Sequence, residues 1–291
     1  MFAFLLFFQN TALADEITEK KSLFWTPLAS FIIPGLGQAI DGESSRSLLF
    51  AGYGFAGISL YVDFNDKYEK GLPDPEVSAD RVQDYKVYGL AAQAMYMHAG
   101  FLSAYDTFSS RVKAYQAEGK YQFYPKDQSM EDLLKAPFHF NYLKRPTTWI
   151  PFFLGILGGY YTVNSSDVPE HTVRANDLAV STYVSYEAGT GEEAFFRGYL
   201  HPILYEETNG SWVANAGQAV VFGFAHGPKA YPQLAMGYYL GWLAEKNQFE
   251  LGEGIFVHAW WDFFVLAGEL IRQRSLAQPL YVQFPSFVLR F

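Results

Sequence analysis

Residues 147–163 read TTWIPFFLGILGGYYTV, seventeen positions without an Asp, Glu, Lys, Arg or His. A helix rises about 1.5 Å per residue, so this stretch nearly crosses the roughly 30 Å hydrocarbon layer of a bilayer. Similar runs recur along the chain. Phe24–Ile40 is apolar but broken by Pro34-Gly35-Leu36-Gly37. Ser47–Val62 and Val87–Phe108 follow, then a polar stretch, and after it Asp177–Ala188, Trp212–Ala225, Tyr231–Leu243 and Ile255–Ile271. Half of the 291 residues are hydrophobic and 19% are aromatic. The pattern predicts an all-α, polytopic membrane helix bundle.

Charge and composition narrow the function classes. The formal net charge is −9, which gives no support to a nucleic-acid partner. The chain has no cysteine, so disulfides, thiol catalysis and cysteine-rich zinc sites are excluded. The start, MFAFLLFFQNTALADE, joins an apolar run from Phe2 to Phe8 to Ala12-Leu13-Ala14, an A-x-A cleavage pattern. It reads as a signal peptide lacking a basic n-region, or as an uncleaved anchor, and either directs the chain to a membrane. The organisation expected is therefore a signal peptide or anchor over 1–14, an N-terminal membrane-helix module over 15–110, a polar linker over 111–146 and a second membrane domain over 147–291.

Within the first module, the charged stretch Asp63–Lys86 reads as a solvated loop, with Pro73 and Pro75 blocking a continuous helix. The linker carries Arg111, Lys113, Lys120, Lys126, Lys135, Lys144 and Arg145, the most basic segment of the chain. Basic loops stay in the cytoplasm, so the linker is expected inside and, three spans back, Asp15 outside.

Charges inside apolar segments are costly and usually functional. GEEAFFRG, residues 191–198, is expected to open a helix and carries three such charges. On a helix Glu193 and Arg197 share a face and can pair. Glu192 is rotated by about 100° and has no partner at that spacing. One reading makes the pair of acids an interfacial helix start that satisfies the helix dipole. The other makes Glu193 structural and Glu192 available for chemistry. Of the six histidines, His98, His139, His171 and His201 lack neighbouring catalytic residue types. His226 ends the apolar run VVFGFAHG, four residues after Phe222, and His258 and Asp262 share a helical face in FVHAWWDF.

These three islands resemble the motifs of the CPBP family of intramembrane proteases, also called the CAAX protease and bacteriocin-processing or Abi family. Its pattern is E-E-x-x-x-R, then F-x-x-x-H, then H-x-x-x-N or H-x-x-x-D. The present counterparts are Glu192, Glu193 and Arg197; Phe222 and His226; His258 and Asp262. The resemblance covers about Thr147 to Phe284 and does not extend to the N-terminal half. There, the glycines of Pro34-Gly35-Leu36-Gly37-Gln38 form no dinucleotide site, because no βαβ pattern surrounds them.

The resemblance implies an endopeptidase that cleaves a membrane-associated peptide or protein substrate within the bilayer of a bacterial inner membrane. It implies that Glu192 activates water, that His226 helps to hold it, and that His258 and Asp262 lie near the oxyanion. No cofactor is required on this reading. A zinc-dependent version is the alternative, since a Glu and two His form a zinc-ligand set. Relatives linked to bacteriocin immunity supply another alternative, a non-catalytic peptide-binding protein. Some relatives cleave prenylated CAAX peptides, but no residue here selects for a prenyl group. At position 262 the Asp is expected to accept from the His258 ring and fix its tautomer, or else to be held protonated by Trp260, Trp261 and Phe263.

Overall fold

The computed structural model describes residues 14–121, 123, 125–165, 171–210, 212–227 and 231–275. The expected signal peptide or anchor, apart from Ala14, and the end of the resemblance toward Phe284 lie outside the described residues. Among the described residues the fold is all-α.

The N-terminal half is built on α1 (Ala14–Ile32), the short α2 (Leu36–Ile40), α3 (Ser44–Gly71) and α4 (Ala79–Ala117). The break between α1 and α2 explains the Pro34-Gly35 motif. Gly35 adopts φ of 91°, and a Cβ there would lie 2.3 Å from the Ser47 carbonyl oxygen. Its freed N–H donates to Ser103 Oγ of α4 at 2.8 Å, and the Gln38 amide donates to the Ser103 carbonyl at 2.9 Å. The motif is thus a break whose backbone groups are satisfied by a neighbouring helix.

The stretch 63–86 is mostly helical, contrary to the loop expected from its charge. Helix α3 continues to Gly71 and α4 starts at Ala79, leaving only a short turn that contains both prolines. The charges themselves support the helix: Lys67 pairs with Asp63 at 2.6 Å and Lys70 with Asp66 at 2.7 Å, each one turn apart. The Ser78 hydroxyl caps α4 by accepting from the Arg81 N–H.

In the polar stretch 111–146, α4 runs on to Ala117 and is followed by α5 (Met130–Lys135), which opens with a capping box between Ser129 and Asp132. Two 3₁₀ turns, Ala136–Phe138 and Phe140–Lys144, lead into α6 (Pro146–Asn164). The remaining helices are α7 (Ala175–Glu192), α8 (His201–Glu207), α9 (Trp212–Ala225), α10 (Tyr231–Lys246) and α11 (Gly252–Ser275).

Among the described residues, α3 and α11 are the two helices long and apolar enough to cross a membrane. The sequence suggested more spans. Its first apolar run is divided between α1 and α2, while α9 and α10 have only 14 and 16 residues. Even so, Leu48, Leu49 and Phe55 of α3, Phe153 and Leu157 of α6, and Phe224 of α9 are exposed. Apolar surface on this scale fits an integral membrane protein.

Helix α11 packs on α6 and α7, and α4 packs on α1, α3 and α7. At the α7–α11 crossing, a Cβ on Gly189 would lie 2.7 Å from Ala259. Only a glycine permits this approach, which brings the end of α7 against the middle of α11. The aromatic core beside it joins Phe101 and Phe108 of α4 to Phe195, Phe196 and Tyr199.

Candidate active site

The GEEAFFRG motif does not start a helix. Glu192 is the last residue of α7, and Glu193–Leu200 continues from it as a π-helical turn leading into α8. The two acids therefore lie far from any helix N-terminus, so the dipole reading of them does not hold. A π-helical turn changes the residues per turn and re-aims side chains, and such turns are frequent at functional sites. All three charges are buried: Glu192 is 3% exposed, Glu193 1% and Arg197 0%.

Glu193 and Arg197 pair as their spacing predicts, with Nη1 donating to Oε1 at 2.8 Å. Arg197 Nη2 also donates to the Gly237 carbonyl of α10 at 2.9 Å. The guanidinium lies 4.5 Å from the centre of the Phe222 ring, in cation–π contact. Phe222 in turn packs 4.6 Å from the His226 ring and 5.8 Å from the His258 ring. It thus links the buried cation to both histidines.

The structure brings the three islands together. Glu192 Oε2 lies 3.9 Å from His226 Nε2 and 3.8 Å from His258 Nε2. Those separations are too long for direct hydrogen bonds and suit a shared water. The other ring nitrogens are fixed. His226 Nδ1 lies 2.8 Å from the Phe222 carbonyl oxygen, which can only accept, so Nδ1 carries the proton. His258 Nδ1 lies 2.8 Å from Glu193 Oε1 and donates to that carboxylate. Each ring therefore turns Nε2 toward Glu192.

Asp262 meets the His258 ring one turn away, as the spacing suggests. Its Oδ2 is 3.4 Å from His258 Nε2, the nitrogen that faces Glu192. The acceptor that orients the ring is Glu193, on the opposite nitrogen. Glu193 thus holds two elements at one atom, Arg197 on its own turn and His258 on α11. The sequence reading stopped at the first of these, because the second is a contact over 65 residues.

Glu192, Phe222, His226, His258 and Asp262 line a cavity of about 920 Å³. Its other walls are mainly apolar and include Ile150 and Leu154 of α6 and Met236 and Tyr239 of α10. Apolar walls with a few convergent polar groups are the ordinary form of a binding site. The arrangement can place a water between a carboxylate and two imidazoles, beside an apolar chamber wide enough for an extended peptide.

The four bystander histidines divide. His139 and His171 are exposed, and His201 is bonded to Glu245 at 2.9 Å. His98, however, lies against α7 and contacts Glu187, a buried acid that the motif reading passed over. A third acid on the short apolar helix that ends at Glu192 was the available signal.

Residues 174–264 match the family model described as Rce1-like, type II CAAX prenyl endopeptidase Rce1-like. No curated protein matches the chain, and no solved structure does. The matched residues contain all three islands and the helices that bring them together. The match over residues 174–264 is consistent with the CAAX-protease, or CPBP, family.

Proposed function

We propose that the chain is an intramembrane endopeptidase in which Glu192 activates water for attack on a peptide bond of a membrane-associated substrate. One observation carries the proposal. Glu192 Oε2 stands within 4 Å of Nε2 of both His226 and His258, on the wall of the large cavity. A water held there by Glu192 and His226 can lose a proton to the carboxylate as its oxygen attacks the carbonyl carbon. The tetrahedral oxyanion then needs donors. His258 and Asp262 are assigned to that side: His258, protonated on both nitrogens between the Glu193 and Asp262 carboxylates, donates from Nε2, and Asp262 orients that N–H. Glu192 returns the proton to the leaving amine, and the polar groups end as they began. Glu193, Arg197 and Phe222 hold the constellation, and the division into 15–110, 111–146 and 147–291 keeps the protease in the last segment. The compartment proposed is a bacterial inner membrane.

The mechanism is proposed as metal-free. The three candidate donors lie on separate elements, with no pair of histidines at one-turn spacing to nucleate a zinc site. The experiment uses purified full-length protein with a prenylated CAAX peptide and its unprenylated counterpart, each with and without 1,10-phenanthroline. Cleavage that survives the chelator is expected. Inhibition reversed by added zinc would replace this mechanism with a metal-dependent one. Preference for one peptide would identify whether the prenyl group is recognised.

A further inference from the structure

Directly behind Glu192 stands a second set of buried polar groups, half of it supplied by the N-terminal part of the chain. Glu187 lies on α7, five residues before Glu192, and is 4% exposed. Its Oε1 accepts from the Tyr53 hydroxyl of α3 at 3.2 Å, and Tyr53 is bonded to Tyr183 at 2.9 Å. From α4, His98 places Nδ1 2.9 Å from the Glu187 backbone carbonyl and 3.2 Å from Glu187 Oε2. The shorter contact, to the carbonyl, is the hydrogen bond. Glu187 Oε2 is thereby left buried without a hydrogen-bond partner, and so is Glu192 Oε2.

Glu187 and Glu192 both line one small cavity of about 20 Å³, and Glu192 also lines the large chamber. Gln93, Ala94, Met97 and His98 of α4 form its other side. A buried water needs roughly 10–15 Å³ and two to four polar partners. The cavity meets the first condition. Toward the second, Glu187 supplies its unpartnered Oε2 and Glu192 also lines the cavity. The Gln93 amide, on the same wall, can donate to the water's oxygen. A wholly apolar cavity would stay dry; here the walls are mainly apolar but include Glu187, whose Oε2 lacks a hydrogen-bond partner, and Glu192.

We propose that this cavity binds one water molecule bridging Glu187 to Glu192, and that Glu187 and His98 are positioning residues for the Glu192 carboxylate. The positioning role rests on Glu192 being the base. The bridge fixes the carboxyl from behind, with Oε2 held between the two histidines. It also gives the N-terminal helices a task at the site, because α4 carries His98 and one wall of the water's cage.

The test begins with a crystal structure of the full-length protein grown from a lipid phase, at a resolution that shows ordered waters. One water within hydrogen-bond distance of both Glu187 Oε2 and Glu192 is expected. Its absence, or a water touching Glu187 alone, overturns the proposal. This readout needs no turnover. A wild-type chain that cleaves neither peptide would defeat the protease reading and leave the water to be judged on its own. The second arm is Ala94→Val, which fills the small cavity without reaching the large one. If the water is present, its displacement lowers kcat about 10- to 100-fold, as for outer-shell partners that orient a reacting group, and leaves KM unchanged. If the cavity is dry, the added methyl groups raise the thermal midpoint and leave kcat unchanged, which overturns the proposal. Should Ala94→Val not fold, Glu187→Gln keeps the shape of the side chain and must show the same loss of kcat at constant KM. Unchanged kcat in that variant also overturns the positioning role.

Discussion

Replacing Glu193 by Ala removes the single atom on which two buried groups converge. Oε1 accepts from Arg197 Nη1 and from His258 Nδ1, each at 2.8 Å. After the change, the guanidinium of Arg197, with no solvent exposure, keeps the Gly237 carbonyl and the Phe222 and Phe196 rings but no anionic partner at hydrogen-bond distance. Breaking one side of a buried ion pair costs about 3–5 kcal/mol, because the other charge is left uncompensated. At about 2–4 °C per kcal/mol for a domain of this size, the thermal midpoint should fall by roughly 6–20 °C. His258 loses the acceptor that fixes its ring. A hydrogen bond to a charged group is worth about 1.5–3 kcal/mol, so kcat should fall roughly 10- to 100-fold in the protein that remains folded. Glu193→Gln retains an acceptor oxygen in place and should lose less on both measures. The assays are thermal unfolding followed by tryptophan fluorescence in detergent, and cleavage kinetics on the monodisperse fraction. Glu193→Ala with wild-type midpoint and wild-type kcat would refute the reasoning. A lower midpoint with unchanged kcat would keep the ion pair and dismiss the ring-orienting role.

Three further outcomes are expected. Asp262→Asn should keep substantial activity, because an amide can still meet His258 Nε2 or donate to an oxyanion. Asp262→Ala should lose about 10²-fold in kcat, and equal near-wild-type rates for both would leave Asp262 outside the mechanism. Gly35→Ala should lower the thermal midpoint, since φ of 91° alone costs an alanine about 1–2 kcal/mol and its Cβ would meet the Ser47 carbonyl; an unchanged midpoint would show that the α1–α2 break is not rigid. A reporter fused within the 111–145 stretch should behave as cytoplasmic, with position 15 labelled only from outside, and the reverse pattern would overturn the argument from basic residues.

The helical class was legible because uncharged runs of bilayer length leave few other solutions, and Thr147–Val163 alone makes that argument. The members of the candidate site stood out for a related reason: Glu192, His226 and His258 are polar groups in segments that otherwise avoid them. Their roles stood out less. The spacing of Glu193 and Arg197 shows one contact of Glu193 and hides the other, which depends on how α11 crosses α7. The π-helical turn is hidden as well, since GEEAFFRG suits an ordinary helix just as well. Charge misled at Asp63–Lys86, where alternating signs at one-turn spacing stabilise a helix that a count of polar residues assigns to a loop. His98 seemed isolated because Glu187, its partner, is 89 residues away.

The central claim is that Glu192 performs the chemistry and its neighbours hold it there. The most direct test compares kcat and thermal midpoint for Glu192→Gln and wild type on one cleavable peptide. Gln keeps the size of the side chain but cannot take the proton, so kcat should fall by about 10²–10⁴-fold while the midpoint stays close to that of the wild type. Cleavage at the wild-type rate by the folded variant would contradict the account.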